Sequence, residues 1–157
     1  DYPAIDKYPQ YAQLNTERIV EANPEYIFLM THANPEAVKE GFIKEMGMEL
    51  LALEEGYCKG RIVLKEKHTN PMGSAHGGLV FALADTIGGM AAMSYGDNVV
   101  TLNASVCFLN PAIDTEYIDA EATVIRNGRT TAIYDVMVRT TEEVDIAKVT
   151  LTYYKVM

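Results

Sequence analysis

Tryptophan is absent, cysteine occurs twice and histidine three times in 157 residues, and each shortage narrows what the chain can be. Two cysteines, Cys58 and Cys107, speak against a disulfide framework or a thiol nucleophile. Each lies in an alternating apolar stretch, which reads as a reduced thiol packed as a small hydrophobe. His32, His68 and His76 show no i,i+4 pairing and no neighbouring carboxylate set, so no metal site is expected. Runs long enough to span a bilayer, roughly 20 apolar residues, are also missing, which argues against a membrane protein. The start, Asp1-Tyr2-Pro3-Ala4, lacks the basic flank and apolar core of a signal peptide, and the expected location is cytoplasmic. Positive charge is scarce as well: 13 Lys and Arg face 22 Asp and Glu, for a net charge of -9. The first 55 residues carry 11 of the acids and only 4 of the bases. An acidic chain of this kind does not suit nucleic-acid binding. Two local basic groups stand against the trend, Lys59, Arg61, Lys65 and Lys67 in one and Arg126, Arg129 and Arg139 in the other. They fit either a polyanionic ligand or solvated strand faces.

What is present is an ordinary globular composition with 48% hydrophobic and 22% charged residues, at a length that suits one domain. Residues 1–46 hold Pro3, Pro9 and Pro24 and little periodicity, so they read as an N-terminal helical extension. Its last helix opens at Asn34-Pro35-Glu36 and runs to about Lys44. From residue 47 the period changes to that of strands. Met48 to Leu53 and Tyr57 to Lys65 flank a Glu54-Glu55-Gly56 break. His76 to Met93 is a long helix with Leu79, Leu83, Ile87 and Met90 on one stripe. Four runs rich in β-branched and aromatic residues follow: Asn98 to Leu109, Glu116 to Arg126, Thr130 to Thr140 and Val144 to Lys155. The breaks between them, including residues 110–114, suit the connections of an antiparallel meander. One helix against a mostly antiparallel sheet is an α+β domain, here over residues 47–157.

The chemistry concentrates in Asn70-Pro71-Met72-Gly73-Ser74-Ala75-His76-Gly77-Gly78, which leads straight into the long helix. Glycines there leave the first helical amides open to a ligand at the positive end of the helix dipole. They also suit a turn that merely lets helix and sheet pack closely. A P-loop is excluded because Leu79-Val80 follows Gly78 where Lys and Ser or Thr are needed. A serine nucleophile elbow is excluded because Ser74 stands second, not third, in Gly73-Ser74-Ala75-His76-Gly77. Asp85 lies mid-helix, on one face with Gly78, Ala82, Gly89 and Ala92 and roughly opposite the apolar stripe. A partly desolvated carboxylate over small residues fits a general base or nucleophile. It fits equally an interface aspartate tied to an amide or an arginine.

The combination Asn70-x-x-Gly73-x-x-His76-Gly77-Gly78 with Leu83-Ala84-Asp85 resembles the hot-dog-fold acyl-CoA thioesterases of the phenylacetate-pathway type, over about residues 47 to 157. The resemblance implies a hot-dog fold, a long central helix wrapped by a curved antiparallel sheet, with two subunits joined into one continuous sheet. Active sites would lie between subunits in a homodimer or homotetramer. It further implies that the Gly77 amide polarises the thioester carbonyl, Asn70 orients the acyl group or water, Asp85 of the other subunit activates water or attacks, and Thr101 holds the water. His76 would support the loop, His76 and Gly78 would contribute to substrate binding, and the turn Arg126-Asn127-Gly128-Arg129 would meet the nucleotide end of coenzyme A. No cofactor is expected beyond the acyl-CoA substrate itself. Two alternatives remain at this point: a non-catalytic acyl-CoA sensor, and an acyl thioester dehydratase or hydratase on the same fold. Retention of Asp85 speaks against the first, and the His76-Gly77-Gly78 context does not resemble the second.

Overall fold

A computed structural model of the chain describes residues 43–156. The expected extension over residues 1–46 lies outside the described residues except for 43–46, which are helical. Six strands and one long helix follow: β1 (Met48–Glu54), β2 (Tyr57–Val63), α1 (Gly77–Met93), β3 (Asn98–Phe108), β4 (Tyr117–Asn127), β5 (Thr131–Thr140) and β6 (Asp145–Val156). All neighbouring strands are antiparallel, in the order β1-β2-β4-β5-β6-β3. This is the expected α+β hot-dog arrangement, with α1 touching every strand of a sheet that bends around it.

Side-chain size explains how the helix comes so close to the sheet. Rows running across the strands on the inner face pair Cys58, Ala122, Val136 and Val149 in one rung and Gly60, Ala120, Val138 and Ala147 in the next. Small residues in β2 and β4 sink the floor, and a side chain at Gly60 would run into Ile87 of the helix. Buried positions on α1 come in adjacent pairs, Leu79 and Val80, Leu83 and Ala84, Ile87 and Gly88, Ala91 and Ala92. The buried face is therefore wider than a single stripe, because a curved sheet covers more of the helix than a flat one. Leu83 is fully buried, a position where truncation to alanine typically costs about 2–5 kcal/mol.

Three expectations need correction. The break at residues 110–114 is not a meander turn: β3 pairs only with β6, and the chain crosses to place β4 between β2 and β5. Ala92 is buried with the core, so the small-residue face of the helix is reduced to Gly78, Ala82, Asp85 and Gly89. Cys58 is buried, where loss of hydration pushes its thiol up to about 12. Cys107, by contrast, is exposed on β3 and is not a core thiol. No helix among the described residues is long and apolar enough to cross a membrane.

Candidate active site

The loop before α1 is pinned from both sides. Asn70 organises it: its Oδ1 accepts from the amides of Met72 (2.9 Å) and Ser74 (3.2 Å), and its own amide donates to the Ser74 carbonyl. Ala75 donates to the Ala112 carbonyl and His76 to the His68 carbonyl. His76 then caps the helix, its Nδ1 accepting from the Gly78 amide at 3.0 Å while its carbonyl receives Leu79 and Val80. Of the amides from Ala75 to Val80, only that of Gly77 has no acceptor among the described residues. It is the first helical residue, where the helix itself offers no partner and the dipole favours negative charge. Gly77 borders a cleft of about 390 Å³ that Asn70, Val80, Phe108, Asn110 and Ile146 also line. A side chain at Gly77 would press on the Phe108 ring, 3.1 Å from the added carbon.

Asp85 sits two turns further along α1, half-buried. Burial pushes its carboxyl above the ordinary aspartate range, and a hydrogen bond from Thr101 pulls it part of the way back. Thr101 Oγ1 donates to Asp85 Oδ1 at 2.8 Å. The threonine proton is thus committed to the carboxylate, and toward a water Thr101 can only accept. Asp85 and Thr101 do not line the cleft beside Gly77 and Asn70. Eight residues of helix separate Gly77 from Asp85, an axial rise of about 12 Å. One chain therefore presents two separate groups, Asn70 with Gly77 and Asp85 with Thr101.

Arg126 and Asn127 end β4, and Gly128 and Arg129 begin the β4–β5 turn, closed by the Gly128 amide on the Thr131 carbonyl at 2.9 Å. Both arginines are exposed and make no ion pair with the described residues. Lys65 and Lys67 likewise make no ion pair with the described residues, but the remaining members of the two basic groups differ. Arg61 grips Asp119 through two contacts of 2.6 and 2.9 Å and stacks on Tyr117, and Lys59 lies 3.5 Å from the same carboxylate. Arg139 is held by Glu121 and Asp145. His68 is buried, its Nδ1 accepting from the Lys65 amide; burial, helped by Lys67 and Lys65, lowers its pKa and keeps it neutral. No group of three potential metal ligands occurs among the described residues. Sequence reasoning missed Tyr153, whose hydroxyl reaches the Asp85 main chain. It also missed Phe108 and Asn110 of the cleft: Phe108 looks like any residue ending a strand, and Asn110 like any residue of the break that follows it.

A helix enclosed by a six-stranded antiparallel sheet, with a free amide at its start and a carboxylate on its middle turns, defines a hot-dog thioesterase architecture. The thioesterase superfamily profile matches residues 72–147. A protein of Archaeoglobus fulgidus assigned as an esterase is 33% identical over 107 residues, covering 68% of this chain and 70% of its own length. The acyl-coenzyme A thioesterase PaaI of Escherichia coli is 28% identical over 104 residues, 66% of this chain and 74% of that protein. Its structure superimposes with a TM-score of 0.74 at 25% identity, covering 79% of this chain and 91% of that one. A hypothetical thioesterase of Streptococcus pneumoniae, solved with coenzyme A, gives a TM-score of 0.66 at 28% identity over 69% of this chain and 85% of that one. The chain belongs to the thioesterase superfamily and, within it, to the PaaI-like hot-dog thioesterases, a family of thioester hydrolases.

Proposed function

We propose that the protein hydrolyses acyl-coenzyme A thioesters to a free acid and coenzyme A, with Asp85 as general base and the Gly77 amide as oxyanion donor. The observation that carries this reading is the amide of Gly77, unbonded among the described residues, at a helix N-terminus that borders a cleft, in a loop whose other amides are occupied. Such a preorganised donor is worth most where charge develops, on the carbonyl oxygen of the tetrahedral intermediate. Asp85 removes a proton from water through Oδ2, since Oδ1 is held by Thr101. The water oxygen bonds to the carbonyl carbon, and the intermediate collapses with the C–S electron pair leaving on sulfur, which takes up the proton. Because 12 Å of helix separates donor from base, as estimated from the axial rise, the two that serve one substrate come from two copies of the chain, in a dimer or a pair of dimers. Asn70, with Oδ1 engaged in the loop, has its side-chain amide available to orient the acyl group. Arg126 and Arg129, which make no ion pair with the described residues, are our candidates for the phosphates of coenzyme A; Lys65 and Lys67 are unpaired in the same sense, whereas Lys59, Arg61 and Arg139 are tied to carboxylates.

A thiol-release screen over short, medium, long and aromatic acyl-CoAs tests the reading. Wild type should turn over at least one class. Asp85→Asn should keep the fold and lose kcat by on the order of 10² or more, with Thr101→Ala less severe. Near-normal turnover in folded Asp85→Asn, or hydration of enoyl-CoA in place of thiol release, would sink it.

A further inference from the structure

The geometry points to Tyr153 as a positioning residue for Asp85, acting through the main-chain carbonyl of the helix turn that carries the carboxylate. The inference rests on the reading of Asp85 as the base and adds a residue to it. Tyr153 lies on β6 directly opposite Thr101 on β3, and residues opposite one another in an antiparallel pair face the same side of the sheet. Here that side faces α1. Thr101 Oγ1 donates to Asp85 Oδ1 at 2.8 Å, and Tyr153 Oη donates to the Asp85 carbonyl oxygen at 3.0 Å. One rung of the sheet thus holds the same residue at its side chain and at its main chain. The register then slips between Thr101 and Asn103, a bulge of the kind that re-aims a side chain beside a site.

The helix makes room for this contact. In a regular helix the carbonyl of residue 85 accepts from the amide of residue 89, so the tyrosine hydroxyl is a second donor to an oxygen already bonded. Gly88 permits the approach: a side-chain carbon there would stand 2.6 Å from the Tyr153 oxygen and 2.7 Å from Leu151. Tyr153 is 1% exposed, and burial drives its hydroxyl well above the ordinary phenol range, so it remains a donor throughout the working pH range. A plainer account is that any buried tyrosine seeks a partner for its hydroxyl. Tyr134 supplies the comparison. It packs edge-on to Tyr153 with ring centroids 5.9 Å apart and donates to the Ala91 carbonyl at 3.3 Å, a like contact on the same helix remote from the carboxylate.

The test is steady-state kinetics and thermal melting of Tyr153→Phe, Tyr134→Phe and Thr101→Ala, with the Thr101→Ala/Tyr153→Phe double variant. Tyr153→Phe should lower kcat about tenfold with KM unchanged, since small displacements of a reacting group are costly. Tyr134→Phe should lower Tm to a similar extent and leave kcat alone. In the double variant the loss should be smaller than the product of the single losses, because both contacts serve one carboxylate. Wild-type kcat in Tyr153→Phe, an equal kcat loss in Tyr134→Phe, or strictly multiplicative losses would each overturn the proposal. Should Tyr153→Phe fail to fold, Gly88→Ala displaces the same hydroxyl from the helix side and should show the kcat loss; normal kcat there overturns it equally. Asp85→Asn, assayed alongside, separates the two levels. Full activity in it would remove the base and the clamp together, whereas an inactive Asp85→Asn beside a normal Tyr153→Phe would strike only the role of Tyr153.

Discussion

Asp85 is pushed up by burial and partly restrained by Thr101, and both catalysis and stability follow from that balance. The acid limb of kcat/KM should lie above the ordinary aspartate value of 3.8, activity falling as the carboxylate takes up its proton. A limb at or below that value would mean another group sets it. For stability, a folded-state pKa above the unfolded one gives a contribution present below the unfolded value and lost as pH rises through the folded value. At neutral pH the ionised carboxylate therefore weakens the fold. Asp85→Asn should raise Tm by a few degrees at neutral pH, with the gap closing under acid conditions; an unchanged or lower Tm at neutral pH would contradict the desolvation account. At this scale the motif residues Asn70, Gly77 and Asp85 were legible because their spacing around a helix start is unusual. Tyr153 was not, since a tyrosine in a Thr- and Tyr-rich strand looks the same whether it fills space or holds a carbonyl. The loop role of Asn70 Oδ1 and the commitment of the Thr101 proton likewise depend on distances that spacing does not carry.

Among the elements, strand and helix limits were legible to within a residue or two, because period-2 alternation, period-3.6 stripes and Gly, Pro and Asn punctuation are local signals. The β3 to β4 crossover was not. Turn chemistry at Asn110-Pro111 says that a strand ends; it does not say which strand the next one joins. That choice comes from the small inner residues Ala120 and Ala122, which belong under the helix beside Gly60 and Cys58, and from β6, some 40 residues later, as the mate of β3. The β4–β5 turn was legible from Asn127-Gly128, and its exposed Arg129 carries a separable expectation. Arg129→Ala should raise KM for acyl-CoA several-fold and weaken its salt dependence with little change in kcat, because a phosphate contact is the same before and during the chemical step. For an acyl-pantetheine, which lacks those phosphates, KM should not move. Equal losses on both substrates would place the effect of Arg129 in folding or packing.

At the scale of the molecule, β3 closes one edge of the sheet and exposes Val100, Leu102 and Phe108, with Leu109 just beyond it. An exposed edge strand is a template for pairing with another chain, and the proposed site, with its base and its oxyanion donor on different copies, calls for such a pairing. Deleting each half-site separately tests this. Asp85→Asn removes the base, and Gly77→Pro removes the amide at a position where helices accept proline. His76 already has the extended backbone, ψ 131°, that a residue before proline prefers, so Phe108 is the neighbour that must yield. Each variant alone should be nearly inactive. Refolded together in equal amounts, they should recover roughly a quarter of wild-type thioesterase activity, since about half of the dimers are mixed and each mixed dimer regains one intact site of two. Mixed dimers that form, by differential tagging, yet show no activity above that of the separate variants would contradict a site shared between two chains.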